Sequence, residues 1–106
     1  MQSIAGNDCG FPDWFAAFEW MCGEIAQIEF DIAIIGAGAY GLPLAAHVKR
    51  LGKKGVHLGG PTQILFGIKG GRWDEMPFFQ QLYNEHWVRP APQEVPPKID
   101  RVKAYW

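Results

Sequence analysis

Three glycines at a fixed spacing are the residues best placed to bind a ligand. Gly36, Gly38 and Gly41 follow the apolar run Ile32–Ile35 directly, in the pattern G-x-G-x-x-G, which is typical of a phosphate-binding turn between a strand and a helix. Glycine tolerates positive φ and lets a ligand approach the backbone closely. The free N–H groups at the start of the next helix favour an anion. The spacing therefore predicts a site for a phosphate group.

The same pattern has two alternative interpretations. Glycines at such a turn can simply let the helix pack closely on the strand. The pattern is also the fingerprint of NAD- and FAD-binding proteins, which place Asp or Glu at the end of the second strand to bind the ribose. That place falls at Leu58–Gly60 and holds no acid, and no acid occurs between Asp31 and Asp74. A dinucleotide-binding module of an oxidoreductase is therefore the alternative, not the first choice.

Four side chains could contribute to the same site. His57 ends a second predicted strand, where open parallel sheets bind ligands, and could donate to a phosphate or act as a general base. Its alternative is a structural role. Tyr40 could stack on a base or sugar, or pack on its own helix. Lys69 and Arg72, in a predicted glycine-rich loop, suit a cationic clamp on a diphosphate, or are solvated loop charges.

These residues form one predicted ligand-binding set without an assigned catalytic residue. The three histidines have no metal-ligand spacing, so no metal is predicted. No Ser-His-Asp or Cys-His arrangement can be assigned either. The predicted ligand-binding set is Gly36, Gly38, Tyr40, Gly41, His57, Gly59, Gly60, Lys69 and Arg72.

The elements that would position this set alternate between helix and strand. Asp13 is a candidate N-cap for an amphipathic helix to about Gln27. The run Ile32–Ile35 predicts a strand buried on both faces, Leu42–Leu51 a helix, and Gly55–Leu58 a second strand. An α-β-α-β order predicts a small Rossmann-like parallel sheet flanked by helices.

The second half of the chain has weaker periodicity. Thr62 is a candidate cap for a short helix to about Gly67, Gly70–Trp73 reads as a loop, and Pro77 could start a helix to about Glu85. Four prolines predict an extended tail after position 88. The chain is therefore predicted as one Rossmann-like domain or fragment, with a flexible segment 1–12, an α/β core 13–88 and a tail 89–106.

Composition and charge narrow the class of ligand. The chain is 48% hydrophobic and 20% charged with net charge −1, so neither a nucleic-acid nor a membrane partner is expected. Its charges are segregated. Met1–Asp31 contains six acids and no Lys or Arg, whereas Ile32–Trp73 contains six Lys or Arg and no acid. A basic segment that carries a glycine turn fits an anionic ligand.

Two features predict that the chain packs against further polypeptide. Two strands are too few for a stable parallel sheet, and five Trp with seven Phe in 106 residues are more apolar surface than a small α/β unit hides easily. The sequence therefore predicts either a homo-oligomer or a missing N-terminal half. A non-catalytic oligomeric interaction protein is a further alternative. With no signal-like segment and no apolar run long enough to cross a bilayer, a cytoplasmic location is expected.

Five stretches of the sequence stand out together, namely Phe30–Ala45, Leu51–Gly60, Gln63–Trp73, Asn84–Pro90 and Tyr105–Trp106. They resemble the C-terminal portion of a family of bacterial polysaccharide-cluster proteins related to the GT-D fold glycosyltransferases. The resemblance covers roughly residues 13 to 106, and its most distinctive part is Phe66-Gly67-Ile-Lys-Gly-Gly-Arg-Trp73.

The resemblance implies binding of a nucleotide-sugar donor and sugar transfer in surface polysaccharide synthesis. Glycosyltransferases of this type carry a metal-associated Asp-x-Glu motif in their N-terminal half, which this sequence lacks. Asp74-Glu75 lies after the distinctive stretch and has the wrong spacing to replace that motif. The expected function is therefore the nucleotide-sugar-binding part of a glycosyltransferase-like protein, and the sequence leaves open whether this chain catalyses transfer alone.

Overall fold

The computed structural model describes residues 10–95 of the chain, which divides into two compact units, Met1–Thr62 and Gln63–Trp106. Most of the N-terminal segment predicted to be flexible, and the end of the predicted tail from position 96 onward, lie outside the described residues. The first unit contains the regular elements, and the second is built from short helices and turns.

Helix α1 (Trp14–Ala26) opens the first unit. Asp13 is its N-cap: the backbone there is extended, and the carboxylate accepts a hydrogen bond from the Ala16 amide at 2.8 Å. Such a cap satisfies one of the free N–H groups of the first helical turn. Ala17 and Met21 are its buried residues. The predicted helix and its cap are confirmed.

The next three elements form a strand, a helix and a strand. Strand β1 (Ile32–Ile35) leads through a 3₁₀ turn (Gly38–Tyr40) into helix α2 (Gly41–Arg50), and strand β2 (Lys54–His57) follows. Gly52, with φ of 79°, lies just after the end of α2, in the left-handed conformation that commonly terminates helices.

The two strands are parallel and in register from the Ile32–Lys54 pair to the Ile35–His57 pair. The predicted first strand is confirmed residue by residue, and the second begins and ends one residue earlier than Gly55–Leu58. The described residues are therefore a mixed α/β structure with a two-stranded parallel sheet and five α-helices.

One face of this sheet is covered and the other is not. Ile35 is 7% exposed. Ile32 and Ile34 lie on the opposite face of β1 and are 52% and 49% exposed, and Val56 on β2 is 42% exposed. The predicted burial of β1 on both faces is therefore wrong. Within residues 10–95 a core forms against one face only. That core contains Ala17, Met21, Ile35, Tyr40, Leu44 and Val48.

The second unit departs further from its prediction. A short helix, α3 (Pro61–Leu65), lies where the chain passes into this unit. Thr62 is inside that helix rather than capping it. The stretch predicted as a loop contains helix α4 (Gly71–Asp74), with Gly70 as its N-cap. Helix α5 (Pro77–Gln80) is four residues long, not nine, because the amides of Leu82 and Tyr83 bond three residues back as turns.

Side-chain contacts between these short elements hold the second unit together. Trp73 is 5% exposed, and its indole N–H donates to Gln63 Oε1 at 2.8 Å. Asp74 pairs with Arg89 at 2.8 Å and accepts a hydrogen bond from the Tyr83 hydroxyl at 3.1 Å. The predicted extended tail begins after a parallel bridge between Ile68 and Val88, and includes a 3₁₀ turn at Pro92–Glu94.

The longest described helix has 13 residues, and across residues 10–95 none is long and apolar enough to cross a membrane. In the same range no three His, Cys, Asp or Glu side chains are grouped so as to hold a metal ion.

Candidate functional site

The glycine turn joins the carboxyl end of β1 to the start of α2. Gly38 has φ of 51°, so the predicted use of a glycine-only backbone conformation is confirmed at this position. The Tyr40 amide donates to the Ala37 carbonyl at 3.0 Å, and the Gly41 amide to the Gly38 carbonyl. Gly36 and Gly38 are exposed to solvent. The turn therefore presents its backbone outward.

Close packing requires glycine at positions 36 and 41. A Cβ on Gly36 would lie 2.7 Å from Cβ and Oγ1 of Thr62 and 2.9 Å from the Gly59 carbonyl oxygen. A Cβ on Gly41 would overlap the imidazole ring of His57. The packing alternative therefore accounts for the type of residue at both positions, and it leaves the exposed side of the turn accessible to a ligand.

His57 lies beside the first residue of α2. Its side chain occupies the space over Gly41, and its Cε1 lies 3.8 Å from where a Cβ on Gly59 would be. The residue is exposed. An imidazole in this place offers an N–H donor, and a positive charge when protonated. The structure thus brings His57 to the glycine turn, as the sequence predicts.

Thr62 is a residue of this edge that the sequence did not assign to the site. Its hydroxyl oxygen is buried, lies close to Gly36, and has no hydrogen-bond partner among the described residues. The sequence signal was its place directly after the Gly59-Gly60-Pro61 segment that ends β2. That signal indicated a helix cap instead, because threonine is a favoured N-cap residue.

Gly59 and Gly60 continue the edge. The amides of Leu58 and Gly59 both donate to the Ile35 carbonyl, at 3.0 and 3.2 Å, so the chain turns directly over the end of β1. Gly59 has φ of 64°, and Gly60 is half-buried. Both glycines therefore lie at the carboxyl edge of the sheet, where open parallel sheets bind ligands.

Tyr40 is not available to a ligand. It is 1% exposed, and its ring stacks on Trp14 with centroids 4.9 Å apart and planes 3° apart. The predicted stacking on a base or sugar is therefore wrong. Tyr40 also shares the core with Leu44 and Val48 of α2, so the alternative of packing against its own helix agrees with the structure. The Tyr40 hydroxyl is buried without a hydrogen-bond partner among the described residues.

Lys69 and Arg72 belong to the second unit. The Lys69 amide donates to the Val88 carbonyl at 2.7 Å, and its ammonium lies 5.2 Å from the centre of the Tyr83 ring. Arg72 is on α4, with its guanidinium carbon 5.9 Å from the ring of Trp73. Arg72 is therefore on a helix and not in the predicted loop, whereas Lys69 lies in the irregular segment before that helix. Their role as a clamp stays a prediction.

Comparison with known proteins adds no relative, since no family model, no curated protein and no solved structure matches this chain. The candidate site therefore depends on its own geometry. Gly36, Gly38, Gly41, His57 and the 59–62 segment meet at one edge of the first unit.

Proposed function

We propose that this edge of the first unit binds a phosphate-bearing ligand, and that a nucleotide-sugar is the first ligand to test. The observation that carries the proposal is the placement of His57 over Gly41, where α2 begins, beside the exposed turn at Gly38. A donor side chain, a left-handed glycine and a helix N-terminus thus share one edge.

The charge distribution of α2 favours binding of an anion at the N-terminal end of the helix. The helix has ten residues, no acid in its first turn, and His47, Lys49 and Arg50 in its last turn. Its N-terminal dipole charge is therefore not neutralised by an acidic side chain of that turn. A phosphate oxygen could accept from the His57 imidazole, and the Thr62 hydroxyl offers a further polar group at the same edge.

The proposed fold, sugar-nucleotide ligand and cellular location are supported by other observations. The parallel order β1–α2–β2 is the order of a Rossmann-like unit, which is the fold we propose. The sugar nucleotide, surface polysaccharide synthesis and a cytoplasmic location derive from the sequence and its resemblance to glycosyltransferase-like proteins. No residue is proposed to catalyse transfer.

A ligand series tests the binding. The full chain is titrated with inorganic phosphate, pyrophosphate, UDP, UDP-glucose and NADH, and followed by thermal unfolding and by NMR of the glycine amides. We expect UDP and UDP-glucose to raise the unfolding temperature, because a ligand at 100 times its Kd stabilises the folded state by about 2.7 kcal/mol. Stabilisation by NADH alone would instead favour the dinucleotide alternative.

Two variants locate the site. We expect His57→Ala to weaken binding about tenfold or more, because it removes a charge-assisted hydrogen bond. His86→Ala is the matched control, since that histidine is exposed and belongs to the second unit. Equal binding by wild type and His57→Ala, or no response to any phosphate compound, contradicts the proposal.

A further inference from the structure

We propose that the free edge of β1 pairs antiparallel with the same edge of a second copy of this chain. Within residues 10–95, β2 is the one strand that pairs with β1, so the other edge of β1 has no strand beside it. A sheet gains stability from further strands. Pairing of two copies through β1 joins their two-stranded sheets into one sheet of four strands.

The main-chain hydrogen bonds of β1 identify its free edge. The Asp31 and Ile35 carbonyls accept from amides of β2 and of the residue that follows it, at 3.1 and 3.0 Å. Successive residues of a strand direct their N–H and C=O groups to opposite edges. The groups of Ile32 and Ile34 therefore point away from β2, toward the edge where a second copy would pair.

Strand β1 lacks the side chains that commonly protect a free edge from pairing. Such edges often carry lysine or proline, whereas β1 is Ile-Ala-Ile-Ile and has no charge. Strand β2 carries Lys54 and Gly55, which are residue types that oppose pairing at an edge. The edge of β1 is therefore the more favourable of the two edges for a further strand.

One register satisfies both a two-fold axis and the bounds of the strand. With Ala33 opposite Ala33 of the second copy, Ile32 of each copy lies opposite Ile34 of the other. Both residues direct their main-chain groups to this edge, so each such pair exchanges two hydrogen bonds. The neighbouring symmetric registers pair Ile32 with Gly36 or Ile34 with Phe30, which lie outside β1.

The side chains of β1 fit the same register. Antiparallel strands approach most closely at a pair that exchanges no main-chain hydrogen bonds, and that position holds the small residue Ala33. Ile32 and Ile34 are 52% and 49% exposed, and β-branched side chains pack well against cross-strand neighbours. The contact would therefore bury part of the apolar surface that β1 exposes.

The charges beside β1 are complementary across the contact, which favours a second copy as the occupant. Asp31 directly precedes β1 and is exposed. In this register it lies opposite Ile35 of the second copy, one residue before that copy's glycine turn. Helix α2, which begins after this turn, has no acid in its first turn, so its N-terminal dipole charge favours a carboxylate. A second copy thus supplies both a strand and a matching charge.

Disulfide trapping tests the register. The full chain with Cys9→Ser and Cys22→Ser carries either Ile32→Cys or Ile34→Cys, and the two variants are oxidised separately and as a mixture. We expect the mixture to be trapped as a dimer several times more than either variant alone, because opposite residues of antiparallel strands lie within disulfide distance. A mixture of Ile34→Cys with Val56→Cys is the matched control, because Val56 is 42% exposed on the same sheet face but belongs to β2.

Charge substitution tests the contact in solution. Sedimentation velocity follows the wild type and a variant with Ile32→Lys and Ile34→Lys to high concentration, because small interfaces bind weakly. No phosphate compound is present, since it would compete with Asp31 for the same end of α2. We expect wild-type mass to rise with concentration and the lysine variant to stay monomeric, because it places like charges directly opposite each other.

Two further measurements separate loss of the contact from damage to the fold. Mixing the lysine variant with a variant that carries Ile32→Glu and Ile34→Glu places opposite charges across the contact, so association should return. Val56→Lys adds a charge to the same sheet face away from the β1 edge, and it should associate as the wild type does.

The proposal is overturned by a wild type that stays monomeric at every concentration. It is also overturned by a lysine variant that still associates, or by lysine and glutamate variants that fail to associate when mixed. Equal loss of association in Val56→Lys, or equal trapping of the control pair, would place the contact on the exposed sheet face and not at the β1 edge.

Discussion

The two units of the chain are stabilised in different ways. The first encloses an aliphatic and aromatic core between α1, α2 and one face of the sheet, with Val48 and Ala17 both 0% exposed. Trp73 is the one buried hydrophobic side chain among the described residues of the second unit, and specific polar contacts lie around it. These are the Trp73–Gln63 hydrogen bond and the Asp74 contacts to Tyr83 and Arg89.

This difference indicates which kind of substitution should destabilise each unit. Apolar burial is non-directional and roughly proportional to area, so the first unit should respond to lost volume. A hydrogen bond depends on geometry, and a buried donor left without an acceptor is costly. The second unit should therefore respond to the loss of single polar atoms.

The largest expected effect is in the core of the first unit. Leu44 is 3% exposed and Leu42, on the same helix, is 69% exposed. Leu44→Ala should lower the free energy of unfolding by about 2–5 kcal/mol, because it leaves a cavity. Leu42→Ala is the matched control and should change it by about 0.5 kcal/mol or less. Urea unfolding at a concentration where the chain is monomeric measures both, and equal losses would contradict the described core.

A smaller loss is expected from one polar atom in the second unit. Trp73→Phe keeps a ring but removes the N–H that donates to Gln63 Oε1. The free energy of unfolding of this unit should fall by about 1–3 kcal/mol. Trp20→Phe, at a half-exposed tryptophan, should cost less. Tryptophan fluorescence and near-ultraviolet circular dichroism follow the transition. A greater loss of unfolding free energy from Trp20→Phe would contradict the described difference between the units.

Neighbouring isoleucines of β1 test the two faces of the sheet. Ile35→Val should cost about 0.5–1.5 kcal/mol, because it removes a methylene group from the core. Ile34→Val removes the same group from a residue that is 49% exposed, and should cost less than half as much. Because both variants make the same Ile→Val change in one strand, any effect of strand propensity should be the same in both. If their unfolding free energies fell equally, a second layer would have to cover the exposed face.

Local signals predicted most of the first unit. Asp13 is followed by a helical stripe, Ile32–Ile35 is a short apolar run, and Gly52 follows Leu51 at the end of the predicted helix. Each of these patterns is complete within a few residues, so α1, β1 and α2 could be placed. Burial of both faces of β1 could not be judged in the same way, because it depends on a layer that no local pattern specifies.

Residues of the candidate site could be predicted from the sequence only where the backbone conformation fixes their position. Gly38 needed glycine for its positive φ, and His57 ended a strand, so both could be placed at the edge. Tyr40 could not, because its stacking partner Trp14 is 26 positions away in sequence. Helix α4 was missed for a similar reason. Its glycines favour a loop, and the contact between Trp73 and Gln63 joins residues ten positions apart.

The smallest expected effect is a titration in the second unit. Burial, and then the hydrogen bond and negative charge of Asp74, raise the pKa of Tyr83 above its ordinary value, and the Arg89 charge opposes them. The neutral phenol is favoured in the folded state. Its contribution to stability is therefore complete below pH 10 or so, the unfolded pKa, and is lost as the pH rises through the folded pKa.

Substitutions around Tyr83 should move this titration in opposite directions. Asp74→Asn removes the negative charge and should lower the pKa of Tyr83, whereas Arg89→Gln removes the opposing positive charge and should raise it. NMR of Tyr83 labelled at its Cζ carbon measures the pKa in each variant. Tyr83→Phe should also make the free energy of unfolding less dependent on pH above 10 or so. A pKa that does not respond to Asp74→Asn would mean that burial alone raises it, and that the polar contacts of the second unit are weaker than the comparison with the first unit implies.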